Sequence, residues 1–396
     1  MIVKPKIRGF ICTTAHPTGC FENVKRQIEY IKLKSKNEVK KGGLNALIIG
    51  ASAGYGLSSR IVAAFLKGYN TLGIIFEKPA KKNRTATAGW YNTAAFEKFA
   101  QKENLYAKTI NADAFSKDTM QEAVDIIKKD LGKIDLIIYS LAAPRRTMPN
   151  KNVISSVLKT IGKPYENKTI DLEKKEIFNI EIPVATGEEI ENTVKVMGGE
   201  NLKDWVEFLK NENILSNNAN IISFSYEGPE LTHKIYKNGT IGRAKQHLLE
   251  TTNALNKKFS NIKAYISVNK ALVTQSSSAI PVVPLYISIL YKVMKEENLH
   301  ENTINQMYRL FNEKLIAPVE IDSEGKIRLD DFEMLPNIQQ KVKLSFNNIN
   351  NSNIEKYADI KGYITDFLHI FGFAFSNVNY DEDVDVNVKI PSINNL

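Results

Sequence analysis

A parallel, doubly wound α/β sheet is the fold class this sequence predicts, and three observations lead to it. Short apolar runs of the kind found in buried parallel strands recur at 46–50, 71–76, 107–111, 134–140 and 262–268, with a sixth beginning at Ile221. Stretches of helical length separate most of them, which favours right-handed crossovers between parallel neighbours. The first run ends in a glycine-rich turn, Gly50-Ala51-Ser52-Ala53-Gly54-Tyr55-Gly56, that opens the next helix. Strand, glycine turn and helix in that order form a Rossmann-like dinucleotide cradle, although Gly-x3-Gly-x-Gly is not the commonest spacing.

Taken in order, residues 1–43 hold a strand candidate (Ile2, Val3, then 7–13), a His-Pro-Thr-Gly turn and an amphipathic stretch at 22–33. After the glycine turn, a helix at 57–67 presents its N-terminus to a pyrophosphate. The second strand passes through Phe76 into Glu77, a carboxylate suited to the adenosine ribose diol and repulsive to a 2′-phosphate, so NADH is favoured over NADPH. Lys78, Lys81, Lys82 and Arg84 just beyond could tolerate that phosphate. A helix at 93–103, a strand running into Asp113 and Ala114, a helix at 117–131 and a strand running into Leu141 and Ala142 follow. In such a sheet ligands bind beyond the carboxyl ends of the strands, where Gly50, Glu77, Asp113, Leu141 and Tyr226 all fall.

From Arg145 to about Glu200 the alternation breaks into short β-like pieces, including 177–184, read as an insertion covering the crevice. Arg145 and Arg146 either meet ligand phosphates or form a solvated pair. A helix at 201–211 leads into the Ile221 strand, and a helix at 240–259 into the 262–268 strand. The loop after it, Asn269 to Thr274, is placed to close over a nicotinamide. Residues 281–294, with Tyr286 and Tyr291, are either core helix or the wall of an acyl slot. The aromatic run at 363–375 and the acidic stretch at 381–385 read as structural. With no internal repeat or low-complexity linker, residues 1–396 read as one elaborated domain.

Chemistry is suggested by Tyr236 and Lys245. On one continuous helix nine positions, at about 100° each, would put them on opposite faces. Gly239 and Gly242 bracket Thr240, and a helix starting with Thr240 as its N-cap would let the phenol fold back toward Lys245. An ammonium about 4 Å from a phenol favours the phenolate by up to roughly 4 kcal/mol in a partly screened site, enough to make a general acid usable near neutral pH.

Composition narrows the classes. Over 396 residues, 43% hydrophobic and 24% charged are ordinary for a soluble globular protein. The excess of 53 basic over 44 acidic residues is scattered along the chain, which argues for phosphorylated small ligands and against nucleic acid. Cys12 and Cys20 flank His16, but no second Cys/His cluster completes a metal site, so no metal and reduced thiols are expected. The first residues lack the apolar core of a signal peptide, and 280–294 is too short to span a bilayer; a cytoplasmic protein is expected.

With these residues assembled, the chain resembles the large NADH-dependent trans-2-enoyl reductases, which act on enoyl-CoA or enoyl-acyl-carrier-protein thioesters and carry Tyr-x8-Lys. The resemblance runs through RGFICTTAHPTGC, GASAGYG, FEKP, TAGWYN, NADAFS, YSLAAPRR and SYEGPELTHKIYKNGTIGRAK. It implies kinship with short-chain dehydrogenases, whose usual Tyr-x3-Lys shares one helical face. Ala53 stands where many members carry Ser. Carried over position by position, the resemblance implies NADH contacts from Gly50, Ala51, Ser52, Ala53, Gly54, Tyr55, Phe76, Glu77, Asp113, Ala114, Leu141, Ala142, Lys245, Leu272, Val273 and Thr274. It implies a substrate contact from Tyr226 and proton donation by Tyr236, supported by Lys245. The carrier, the chain length and the oligomeric state stay open, a monomer being favoured. A ketoreductase or alcohol dehydrogenase of the same fold is the alternative, and a nucleotide-sensing regulator is a second.

Overall fold

Along the first apolar run, alternate side chains enter two different cores: Ala46 and Ile48 lie in one, Leu47 and Ile49 in the other. A strand buried on both faces has this property, which is why the run is continuously apolar. The computed structural model describes residues 1–9, 11–36, 43–82 and 84–393, so Phe10 of the expected 7–13 strand lies outside the described residues. This strand, β1 (Asn45–Ile49), is joined in one sheet by β2 (Asn70–Ile75), β3 (Ala107–Asn111), β4 (Ile134–Tyr139), β5 (Leu215–Ser225), β6 (Ile262–Val268) and β7 (Lys326–Arg328). Their spatial order is β3-β2-β1-β4-β5-β6-β7, and every pairing is parallel. Chain direction across the sheet reverses between β1 and β4, which opens the crevice there.

Helices cover both faces. On one, α2 (Gly54–Phe65) and α3 (Ala88–Lys102) pack with α1 (Pro17–Lys34) and α8 (Val283–Glu296) in a core that also takes in α9 (Thr303–Arg309), α10 (Pro336–Asn348) and α11 (Ile360–Ile370). On the other, α4 (Lys117–Ile126), α6 (Glu200–Asn211) and α7 (Thr240–Lys258) bury Met120, Trp205 and Leu248 against the sheet. The last described residues are fastened over α3, where Trp90 Nε1 and Tyr91 Oη donate to the carbonyls of Val388 and Val386 at 2.7 and 2.8 Å.

Several elements depart from the sequence reading. Helix α3 begins five residues before the expected 93, because Trp90 and Tyr91 already belong to its buried face. Helix α4 gives way to a π-helical turn at Ile127–Leu131. Residues 145–197 form two antiparallel hairpins, Arg145–Thr147 with Val153–Ser155 and Tyr165–Asp171 with Glu176–Ile182, but also a helix, α5 (Gly187–Met197). Thr186 and Glu189 start α5 with a reciprocal capping box, a signal present in the sequence and missed amid its short β-like pieces.

At the head of the sheet, Gly50 has φ +87°, and a methyl group at Gly56 would overlap the Gly50 carbonyl oxygen. Gly56→Ala is therefore expected to lower unfolding stability by about 1–3 kcal/mol through overpacking. Gly187→Ala, at an open helix start, is expected to be neutral or slightly stabilising. Denaturant midpoints of the two variants check the contrast.

Candidate active site

The carboxyl ends of β1 to β6 open into one cavity of about 780 Å³. Gly50, Ser52, Ala53, Gly54 and Tyr55 line it after β1, Phe76 and Glu77 after β2, Asp113 and Ala114 after β3, Leu141 and Ala142 after β4. Tyr226, Tyr236 and Lys245 line it after β5, and Leu272, Val273 and Thr274 after β6. Of the expected site residues only Ala51 is off the wall: it is buried beneath the turn, and its amide donates to the Ile74 carbonyl at 3.0 Å.

The cradle at β1 and β2 is shaped by close contacts. Ala53 caps α2 without offering a side-chain acceptor, and no atom lies within 4 Å of where a Gly54 Cβ would stand. Ser52 Oγ donates to Glu77 Oε1 at 2.7 Å, and the Glu77 backbone is locked by reciprocal bonds with the Asn111 side chain at 2.7 and 3.0 Å. A side chain at Gly89 would overlap the Glu77 carboxylate, so that glycine lets α3 approach it. Asn92 and Asn269 also line the cavity; each is buried, and Asn92 Oδ1 and Asn269 Nδ2 lack hydrogen-bond partners among the described residues. The sequence reading placed Asn269 in the nicotinamide loop and Asn92 in the TAGWYN motif but gave neither side chain a role, because nothing local distinguishes their amides from surface ones.

Tyr236 follows a single helical turn at Glu230–His233. The chain then doubles back, with Gly239 N–H and Gly242 N–H both donating to the Tyr236 carbonyl at 3.1 and 2.9 Å. Side chains at Gly239 or Gly242 would collide with the backbone of this turn, which is how the pair escapes opposite helical faces. The N-cap is Gly239, not Thr240 as expected; Thr240 instead donates to the Val157 carbonyl at 2.5 Å and ties the helix start to the hairpin region.

Burial pushes the Tyr236 phenol above the usual tyrosine range. Lys245 Nζ donates to the Phe224 carbonyl at 3.0 Å, and burial lowers its own pKa to about 8. A desolvated ammonium tends to lose charge, and a desolvated phenol keeps its proton. The Tyr236 hydroxyl has no hydrogen-bond partner among the described residues, while its ring meets that of Tyr226 edge-on at 4.9 Å.

The loop after β6 is fastened from several sides. Tyr55 Oη donates to the Lys270 carbonyl (2.8 Å), Lys270 N–H to Gln306 Oε1 (3.0 Å), Ala271 N–H to Glu333 Oε2 (2.7 Å) and Val273 N–H to Tyr291 Oη (3.2 Å). Helix α8 is buried, and Ile280, Val283, Ile287 and Tyr291 line the cavity. Asp366, His369 and Ile370 of the C-terminal aromatic stretch also reach it. Arg145 and Arg146 part company: Arg145 is exposed at the cavity rim, whereas Arg146 is buried, donating to the Lys195 carbonyl at 2.8 Å and pairing with Glu200.

A family model described as the trans-2-enoyl-CoA reductase catalytic region matches residues 84–316, and the NAD(P)H binding domain of trans-2-enoyl-CoA reductase matches residues 2–82. The chain belongs to the trans-2-enoyl-CoA reductase family. It is 50% identical to the trans-2-enoyl-CoA reductase (NADH) of Ruminiclostridium cellulolyticum, across 99% of this chain and 100% of that one. It is 52% identical to the enoyl-[acyl-carrier-protein] reductase (NADH) of Flavobacterium johnsoniae, over the same shares. The crystal structure of Clostridium acetobutulicum trans-2-enoyl-CoA reductase in complex with NADH superposes with a TM-score of 0.94 at 42% identity, covering 98% of this chain and 100% of that one.

A third family model, described as an enoyl reductase FAD binding domain, matches residues 321–384. In this reductase those residues do not fit a flavin. Gly362 is crowded by Asp359 and Lys295, Gly372 by His16 and Cys20, and Gly325 serves a tight turn before β7. Of this segment only Asp366, His369 and Ile370 reach the cavity.

The depressed pKa of Lys245 has a direct readout. A small amine-reactive reagent, with labelling mapped by mass spectrometry across a pH series, is expected to modify Lys245 with a midpoint near pH 8, below the ordinary lysine value of 10.5.

Proposed function

We propose that this protein reduces the C=C bond of trans-2-enoyl thioesters, carried on CoA or on acyl carrier protein, to the saturated acyl thioester with NADH, in fatty acid synthesis. The observation that carries the reading is the Tyr236 hydroxyl, without a hydrogen-bond partner among the described residues, in the cavity that the strand ends share with Lys245. Membership of the reductase family supplies the reaction class.

The cavity suits NADH. The orphaned amide atoms of Asn92 and Asn269, and the bare turn at Gly54, are the features a polar dinucleotide would complete. Gly50 to Tyr55 would hold the pyrophosphate, Ala51 through the turn's backbone. Phe76 and Glu77 would hold the adenosine, Asp113 and Ala114 the adenine edge, and Leu141, Ala142, Lys245 and Leu272 to Thr274 the nicotinamide half. When bound, NADH supplies the hydride that adds to Cβ of the enoyl thioester.

The protein's part is to receive the charge that then gathers on the thioester oxygen. Tyr236, kept protonated by burial, donates a hydrogen bond or its proton there. Lys245 orients the ribose and leaves Phe224 as its carbonyl anchor. Tyr226 contacts the thioester beside Tyr236, and residues 145–200 cover the crevice as an insertion in a single elaborated domain. Ile280, Val283 and Ile287 offer the acyl chain an apolar wall. No helix among the described residues is long and apolar enough to cross a membrane.

NADH oxidation with crotonyl-CoA, beside NADPH and beside acetoacetyl-CoA, tests the reading; turnover of the carbonyl compound alone would make the protein a ketoreductase. Tyr236→Phe is expected to lower kcat on the order of 10²-fold or more with NADH binding kept, measured by steady-state rates and cofactor fluorescence. Glu77→Ala is expected to raise kcat/KM for NADPH and lower it for NADH, since the carboxylate both binds the ribose diol and repels a 2′-phosphate. An unchanged cofactor ratio would remove Glu77 from that role.

A further inference from the structure

One carboxylate stands behind the cavity wall and belongs to none of the strand ends. Glu333 is fully buried in the segment between β7 and α10. Its Oε1 accepts from Tyr286 Oη at 2.6 Å and from Tyr226 Oη at 3.3 Å, and its Oε2 accepts from Ala271 N–H at 2.7 Å. Gln339 Nε2 donates to the Glu333 carbonyl at 2.7 Å and to Tyr286 Oη at 3.3 Å, which fixes both partners. A single side chain thus joins the tyrosine at the end of β5, the loop after β6 and helix α8.

The chain has been shaped to let Tyr226 reach this group. Gly228 has φ +69°, and a methyl group there would overlap the Tyr226 hydroxyl, with Thr232 Oγ1 close beside it. Glu227, the next residue along, pairs with Lys326 of β7 at 2.5 Å and with Lys237 at 3.7 Å, which holds the loop down. Burial pushes the Glu333 carboxyl above its usual range, while Lys270, the Tyr286 hydroxyl and the Ala271 amide draw it back.

A phenol has one proton to donate. With that proton directed at Glu333, Tyr226 presents to the cavity its ring and an oxygen lone pair. We infer that Glu333 is a positioning residue for the reduction: by accepting the Tyr226 hydrogen bond it holds that ring edge-on against Tyr236 and leaves Tyr236 as the proton donor facing the thioester oxygen. The inference rests on the roles proposed above for Tyr226 and Tyr236, and deepens them.

Glu333→Gln tests it while keeping the shape of the side chain. The Ala271 amide still needs an acceptor, so the carboxamide oxygen takes the Oε2 place and its NH2 group meets the two phenols, reversing the bond to Tyr226. The expected result is a fall in kcat on crotonyl-CoA of about tenfold or more, with the NADH Kd from cofactor fluorescence held within about twofold. In a Tyr226→Phe background the same substitution should change kcat by less than about twofold, because the interaction it disturbs is already gone. Wild-type kcat in Glu333→Gln, or losses that simply multiply in the double variant, would overturn the inference. Should Glu333→Gln fail to fold, Gly228→Ala displaces the Tyr226 hydroxyl with Glu333 intact. The same selective loss of kcat is expected, and unchanged turnover in the folded protein counts against the inference. Full activity in Tyr236→Phe marks the separate failure of the underlying reading.

Discussion

The carbonyl of Gly50 and the backbone of Gly56 meet with no side chain between them, and the placement of the whole cavity descends from that contact. Because α2 can come down onto the end of β1, the first-turn amides of the helix face the crevice between β1 and β4. Neighbouring strand ends are stitched to the same spot. Gly50 N–H and Ala51 N–H both donate to the Ile74 carbonyl, Ser140 N–H donates to Ile49, and Asn269 N–H donates to Ser225. In a close-packed interior a methyl group at such a contact has nowhere to go, so the glycine is a geometric requirement of the fold.

A second set of contacts turns the crevice into a site. The loop after β6 has no strand or helix of its own to hold it, yet successive polar backbone atoms from Lys270 to Val273 find partners on α2, α8, α9 and the segment around Glu333. Leaving a buried amide unpaired costs about 1–3 kcal/mol, so each of these bonds strongly disfavours any other loop path. A loop held in this way is preorganised, which matters where catalysis depends on donors already aimed at developing charge.

Electrostatics follow from the same burial. The cavity lies under helices on one side and hairpins on the other, and low polarity moves both members of the Tyr-Lys pair toward their uncharged forms. For Tyr236 this secures a protonated donor. For Lys245 it brings the ammonium close to neutrality near pH 8, with the Phe224 carbonyl as its remaining hydrogen-bond partner. A pairwise picture of ammonium and phenol leaves out the desolvation that dominates here.

Much of this was legible in the residues. The alternation of apolar runs with helical stretches, the glycine turn after β1 and the polar residues at successive strand ends determined the parallel sheet and its crevice, because period and turn chemistry are local properties. The glycines around Thr240 singled out the Tyr236 and Lys245 pair, the end of the 262–268 strand marked the loop from Asn269 to Thr274, and the family motifs implied roles for them. Tertiary structure alone decided the rest. Glu333 carries no local signal, and neither do the unpaired amide atoms of Asn92 and Asn269, since a buried acid or amide looks like a surface one until its neighbours are known. Arg145 and Arg146 are adjacent in sequence yet one is a rim cation and the other an internal ion-pair partner. Whether Lys245 pulls on Tyr236, and which acceptor takes the Tyr226 proton, depends on distances between segments far apart in the chain. Sequence specifies such side chains; only the folded packing sets their solvation and their partners.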